Sequence, residues 1–239
     1  MAQPRANKLG ARVSKPRKVL VVDVGGTHVK FAVTGHDEPR EFESGPKMTP
    51  RQMTKQLLAL TRDWRFDVVS IGYPGVVLRG RIMREPYNLG HGWVGFDFHA
   101  ALKRPVRIVN DAVMQAIGCY EGGKMLFLGL GTGLGSALIV DGVPAPMELG
   151  HLHCGPGKTY EDLLGEHGRK RAGNHRWRKR VNDVVQSLAN ALLPDYIVLG
   201  GGNARRLKKL PKNVRRGDNS YAFPGGVRLW DEKPARATH

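Results

Sequence analysis

The sequence predicts an α/β fold given twice, on three observations. Strand-like and helix-like patterns alternate along the chain, two hairpins jointed by glycines open its two halves, and the last strand pattern runs into three consecutive glycines. In the first half, Val19–Asp23, Val29–Thr34 and roughly Arg40–Ser44 form a strand meander. An amphipathic helix over Pro50–Arg62 follows, then short strands at Val68–Ile71 and Val106–Val109. A helix from about Ala112 to Tyr120, with Asp111 at its cap, leads into the second half. There Met125–Leu130 and Ser136–Val140 form the second hairpin. Asn174–Leu192 carries a helical pattern with Val181, Val184, Val185, Leu188 and Leu192 on one face, and Tyr196–Leu199 is the final strand. The halves share no exact repeat, but they follow one plan.

Composition bounds the function. With 239 residues, 41% of them hydrophobic, the chain can bury a full core as one large or two small domains. Two cysteines, Cys119 and Cys154, cannot build a disulfide framework, and no CxxC pair exists to hold a metal. No run of about 18 apolar residues is present, and the basic N-terminus leads into a strand rather than the apolar core of a signal peptide. A reducing cytoplasm, without a membrane partner, is the expected setting. The outlying property is charge, +17 at pH 7. Of the 38 Lys and Arg residues, 20 fall within Met1–Lys18, Arg169–Arg180 and Arg205–Arg216. Such clusters attract nucleic acid, anionic lipid, nucleotide or inorganic polyphosphate, although each can also serve solubility alone. They contain a single aromatic residue, Trp177, so the stacking platform of a single-strand binder is missing.

The glycine tips carry the chemistry. In DVGGTHVK, Gly25 and Gly26 permit positive φ and a close backbone approach, so amide N–H groups can face an anion. Thr27 and Lys30 add a hydroxyl and a charge. In GLGTGLGSA, Gly129, Gly131, Gly133 and Gly135 surround Thr132 in the same manner. Neither stretch matches GxxxxGK[ST] or runs from a strand into a helix, which disfavours a Walker or Rossmann site. One such loop alone is adequately explained as a tight turn; two of them, each with a threonine, weaken that explanation. Gly200, Gly201 and Gly202 sit at the carboxyl end of a strand, where α/β sheets bind ligands. Asn88, Asn110, Asp111, Glu148 and His151 supply polar groups between these loops, with an Asn-Asp pair commonly serving only as a helix cap.

DVGGTHVKF, YPGVV, PYNLGHGW, IVNDA, LGLGTGLGSALI, ELGHLHCG and VLGGGNA stand in the order and approximate spacing of sugar kinases of the ROK family. They are most similar to its polyphosphate-dependent and related glucokinase branch, and the resemblance runs from about Val19 to Trp230. It implies two ribonuclease-H-like domains of the actin, hexokinase and Hsp70 ATPase superfamily, closing over a cleft. Residues 19–110 would form the smaller domain and 111–239 the larger, after a basic, disordered arm over 1–18. Position by position, the resemblance makes Asp111 the catalytic base and gives hexose hydroxyls, glucose foremost, to Asn88, Asn110, Glu148 and His151. Asp23 would orient Mg²⁺. Gly25, Gly26, Thr27, Lys30, Gly131, Thr132 and Gly133 would surround the donor phosphates of polyphosphate or ATP, with Gly200–Gly202 beside an adenosine. A homodimer is implied as well.

Two departures from the family pattern stand out. Where many members carry a cysteine-rich zinc loop, this chain has HLHCGPGKTYEDLLG; His151, His153 and Cys154 are too few and too crowded for a structural zinc, and none is expected. Pro224, Gly225 and Gly226 oppose the long closing helix usual near the C-terminus, which leaves the tail's return to the first domain open. The rival reading is a non-catalytic, sugar-responsive or nucleic-acid-binding regulator. Only about 18 residues precede the first strand, too few for a helix-turn-helix, so nucleic-acid binding is expected to be non-specific at most.

Overall fold

A computed structural model describes residues 17–36 and 38–231. Of the basic arm expected over 1–18, all but Arg17 and Lys18 lies outside the described residues. The chain opens with an antiparallel meander of β1 (Val19–Val24), β2 (His28–Val33) and β3 (Arg40–Glu43). Helix α1 (Pro50–Leu60) starts from a Thr49–Gln52 capping box with proline in its first turn. Strand β4 (Val68–Tyr73) is buried along its whole length and pairs in parallel with β1; a strand covered on both faces is apolar throughout. A short hairpin follows, β5 (Val77–Leu78) and β6 (Arg81–Ile82), turning on Arg79 and Gly80, which both have positive φ as a primed two-residue turn requires. Helix α2 (Phe98–Leu102) and β7 (Val106–Asn110), parallel to β4, complete a sheet of order β3-β2-β1-β4-β7.

Helix α3 (Asp111–Cys119) leads to the second meander, β8 (Lys124–Leu130), β9 (Leu134–Val140) and β10 (Val143–Met147). A small ribbon of β11 (His153–Gly155) and β12 (Lys158–Thr159) precedes α4 (Tyr160–Leu164) and α5 (Glu166–Leu192). Strands β13 (Tyr196–Gly200) and β14 (Val214–Arg216) then add in parallel, giving the order β10-β9-β8-β13-β14. Element for element, this order and its strand directions repeat those of the first sheet. The chain ends in α6 (Ala222–Arg228).

The cores stack these parts in layers. The outer face of the first sheet packs on Met53 and Leu57 of α1 and Phe98 of α2; the outer face of the second packs on Trp177, Val181, Val184 and Leu188 of α5. Helix α3 lies between the sheets. Ala112, Val113 and Ala116 face Phe127, Ala137 and Val198 of the second sheet, while Met114 packs with Val19, Val21 and Val68 of the first. Among the described residues no helix is long and apolar enough to cross a membrane.

Two expectations change. The N-cap of α3 is Asn110, whose Oδ1 accepts from the Ala112 and Val113 amides; Asp111 is the first residue of the helix, not its cap. The helix expected from Asn174 begins at Glu166 and is broken at Gly173, φ +75°, so the expected span is its second limb. Near the C-terminus the helix that holds Pro224 and its glycines is short, seven residues, in keeping with the expectation that they oppose a long one. Pro224 sits in the first turn, where its missing N–H leaves no bond unmade. A Cβ on Gly225 would overlap the Met114 carbonyl of α3, and one on Gly118 would overlap the Tyr221 carbonyl, so these glycines allow the two backbones to touch. Beyond α6, Trp230 Nε1 donates to Ser70 Oγ, Ser70 Oγ donates to Gly226 O, and Arg107 donates to Leu229 O, all on the first sheet.

Candidate active site

Because α3 is wedged between the sheets, its first residue emerges where both glycine-tipped hairpins end. Asp111 follows β7 directly, and its Oδ1 accepts the Ala112 amide at 2.8 Å. Asn110 fixes this corner, with Oδ1 capping the helix and Nδ2 donating to Gly75 O at 3.0 Å in the YPG turn. Burial pushes the Asp111 carboxyl up to about 7, with the Asp23 and Glu148 carboxylates raising it further and the Ala112 amide opposing them. Asp23, the penultimate residue of β1, is raised by burial to about 6, with Lys30 directly across the strand pair holding it lower. Neighbouring Gly72 on β4 makes room for Met114 of α3, since a Cβ there would overlap the Met114 Cε.

The first loop is held from beneath. Gly25 N donates to His28 O at 2.9 Å, Ser44 Oγ donates to Gly25 O at 2.6 Å, and Ser44 N donates to Thr27 O at 2.8 Å. Neither Gly25 nor Gly26 has positive φ, so the expected conformational reason fails there. Close approach remains: a Cβ on Gly25 would lie 2.8 Å from His28 O, and one on Gly26 3.0 Å from Asn88 Cβ. Exposed Asn88 therefore stands against the first loop. Thr27 is exposed at the tip, its Oγ1 3.2 Å from His28 Nδ1. Lys30 is exposed with its ammonium 3.9 Å from Glu41, so it runs along the sheet face rather than over the loop.

The second loop is clamped more heavily. Gly131 N donates to Gly133 O, and the Gly131 and Thr132 carbonyls both accept from Glu166 N at the start of α5. Gly201, φ +80°, lies so close to Leu130 that a Cβ would overlap its carbonyl, bringing Gly200–Gly202 against the loop. Asn203 bridges them: its N donates to Leu130 O, and its Nδ2 donates to Gly131 O and to Glu166 Oε2. Arg169 forks onto Glu166, and these bonds, Arg169 before Asn203, hold the Glu166 carboxyl down at about 2. Arg206 Nε donates to Asn203 Oδ1 and Arg178 Nε to Arg206 O, so the two basic clusters of the second half meet beside this loop.

Glu148 and His151 lie after β10, both exposed, with Oε2 and Nδ1 4.0 Å apart. Burial raises the Glu148 carboxyl, opposed by His151, with Glu161 pushing the same way as burial and Arg84 against it. The structure adds Glu161 to the site: its Oε2 accepts the Leu134 amide at 3.0 Å and fills the space beside Gly133. In the sequence Glu161 lies within a Thr-x-x-Asp capping box and reads only as a first-turn acid. Among the described residues no group of three or more His, Cys, Asp or Glu is gathered to hold a metal ion. The site thus joins Asp23, Asp111, Glu148 and Glu161 to two glycine loops, while Lys30 points elsewhere.

A family model described as the ROK family matches residues 19–159. The chain belongs to the ROK family. It is 29% identical over 210 residues to the polyphosphate glucokinase of Mycobacterium tuberculosis, covering 79% of this chain and 78% of that protein. A kinase for another sugar, the kanosamine kinase of Amycolatopsis mediterranei, is 29% identical over 160 residues, 56% of this chain and 51% of that protein. The inorganic polyphosphate/ATP-glucomannokinase of Arthrobacter sp. strain KM superposes with a TM-score of 0.76 at 22% identity, over 89% of this chain and 98% of that one. The mixed α/β fold is therefore that of solved ROK sugar kinases.

Proposed function

We propose that this protein is a sugar kinase that moves a phosphoryl group from inorganic polyphosphate, ATP or both to the 6-hydroxyl of glucose or a similar hexose. The observation that carries this reading is the placing of Asp111: a raised carboxyl, at the tip of a helix held between two sheets, with Asp23 of the first hairpin close enough to raise it and Gly135 of the second against Ala112. The reading takes residues 19–110 and 111–239 as two domains that close over the sugar. Phosphoryl transfer asks the protein for in-line positioning and neutralisation of charge rather than covalent chemistry.

Asp111 accepts the hydroxyl proton as the sugar oxygen bonds to phosphorus and the bond from phosphorus to the leaving phosphate breaks. Such a base typically contributes about 10²–10⁴-fold, most effectively with a pKa near the working pH. Asn110 acts by fixing Asp111, since both ends of its carboxamide already have partners. Asn88, Glu148 and His151 take the remaining sugar hydroxyls. Gly25–Thr27 and Gly131–Gly133 hold the donor phosphates, and Gly200–Gly202 border an adenosine when ATP is the donor.

Mg²⁺ fits these residues, because it is commonly held by one or two carboxylates with the substrate's own phosphates, and Asp23 is a partly buried carboxylate beside the loops. When bound it neutralises charge on the transferring group. Support for an extended polyanion as donor is the joining of the basic clusters through Arg178 and Arg206 to Asn203, which touches the second loop.

The test is product formation by the full chain from glucose and Mg²⁺ with long-chain polyphosphate or ATP. Glucose 6-phosphate is expected from at least one donor; no phosphorylated product from either donor across a panel of hexoses overturns the reading. Substituting exposed Arg176 and Lys179 together by Gln is expected to raise KM for long polyphosphate several-fold and that for ATP by less than about twofold. Equal effects on both donors remove the basic clusters from the account.

A further inference from the structure

One polar atom has no partner. Gln115 Oε1 is, among the described residues, the only buried side-chain nitrogen or oxygen without a hydrogen bond. Burying an unpaired carboxamide oxygen destabilises a fold, and an apolar side chain of similar shape would avoid that cost. Its neighbours in α3 are Val113, Met114, Ala116 and Ile117, so nothing in the packing of the helix calls for a polar group there.

Its place in the fold is specific. Gln115 lies one turn after Asp111, at the i,i+4 spacing that puts both on one face of α3. Its Oε1 is directed at the end of the second sheet, 3.4 Å from where a Cβ on Gly200 would stand. Three glycines in register, Gly135, Gly129 and Gly200, cross the sheet at this level, and Phe127 of β8 and Ala112 of α3 pack into the places their missing side chains leave. Gly200 continues into the turn that packs on Leu130 and, through Asn203, on Gly131. The unpaired carboxamide thus lies one turn from the proposed base and beside the strand end that leads into the second of the loops proposed to hold the donor.

We infer that Gln115 is a donor-binding residue whose carboxamide hydrogen-bonds a phosphate oxygen of the phosphoryl donor. The inference rests on the kinase reading above. The two ends of a carboxamide are nearly isosteric, so turning χ3 by half a turn presents NH₂ to an anion at little steric cost. The ligand supplies the partner that the protein lacks, which accounts for a polar group kept at an apolar position.

Gln115→Leu and Gln115→Glu separate this role from a structural one. The Leu variant removes the carboxamide and keeps the bulk; the Glu variant keeps the shape and adds a charge that repels phosphate. Without ligand, Gln115→Leu is expected to melt at or above the wild-type temperature. Its KM for the donor is expected to rise roughly tenfold or more, as a hydrogen bond to a charged group is lost, with KM for sugar unchanged. Gln115→Glu is expected to be worse still for the donor. Melting-point shifts produced by Mg²⁺-tripolyphosphate and Mg²⁺-ATP follow the same binding without turnover: both shifts shrink in the variants. If the shifts and donor KM of Gln115→Leu match wild type, the inference fails while the kinase reading stands. If wild type binds both donors but transfers to no sugar, the kinase reading fails and the shifts still decide on Gln115. If neither donor shifts wild type, the inference fails outright.

Discussion

The two sheets have the same strand order and the same directions, and they differ most at one row of residues. In the first sheet the row beneath the hairpin tip is Lys30, Asp23 and Gly72; in the second it is Gly135, Gly129 and Gly200. One row supplies an acid and a cation; the other supplies no side chains at all, and Phe127 and Ala112 pack where they would stand. Topology repeated in this way places a glycine-containing hairpin on each side of α3, and side chains at the strand ends then differ: charge on one side of α3, close packing against glycine on the other. The supports differ accordingly. The first loop rests on the single side chain of Ser44, whereas the second is tied by Asn203, Glu166, Arg169 and Glu161.

The sharpest way to break this comparison is to make the first row neutral. Asp23→Asn is expected to lower transfer about 10²-fold or more at fixed Mg²⁺, in the range seen when one electrostatic contact to a reacting group is removed. A loss of only a few-fold, read from initial rates across Mg²⁺ concentrations, would take the acid out of the comparison.

A smaller effect concerns stability. The Asp111 carboxyl, raised to about 7 in the fold from an ordinary 3.8, favours its protonated form, so the folded state binds the extra proton between these values. Its contribution is therefore fully favourable below about pH 4 and is lost as pH rises through about 7. Asp111→Asn is expected to be more stable than wild type by about 1–3 kcal/mol at pH 8, a figure reduced from the full shift because the residue is partly exposed. The advantage should vanish near pH 4; equal unfolding midpoints in urea at both pH values would show that burial does not hold the carboxyl in its protonated form. Smaller again is the part of Lys30, which lowers the Asp23 carboxyl from across the strand. Lys30→Gln is expected to move the acidic limb of the Mg²⁺-dependent rate profile to higher pH by a few tenths of a unit, and an unmoved limb would assign Lys30 wholly to Glu41.

Much of this was legible in the sequence because the signals were local. Glycine pairs at hairpin tips, apolar strands and the Thr49 capping box mark their elements without tertiary help. Asp111 was legible as a polar residue at the start of a helix, but its place as first helical residue rather than cap depended on Asn110, which can cap equally well by type. What stayed hidden depends on contacts between distant segments. The glycines of α6 look like helix breakers until Met114 O and Val21 are seen against them, and Glu161 looks like a helix-start acid until Leu134 N is seen beside it. Gln115 did leave a trace, as a lone polar residue in the apolar run AVMQAIG, which only the burial of its Oε1 turns into a signal.

The central claim is that Asp111, brought between two glycine loops by a helix wedged between twin sheets, takes the sugar proton. The most direct measurement is single-turnover phosphorylation of glucose by wild type and Asp111→Asn, with sugar binding followed in parallel by calorimetry. The account predicts a rate lower by about 10²-fold or more in Asp111→Asn with glucose affinity within a few-fold of wild type. A variant that binds glucose normally and turns it over at close to the wild-type rate would contradict it.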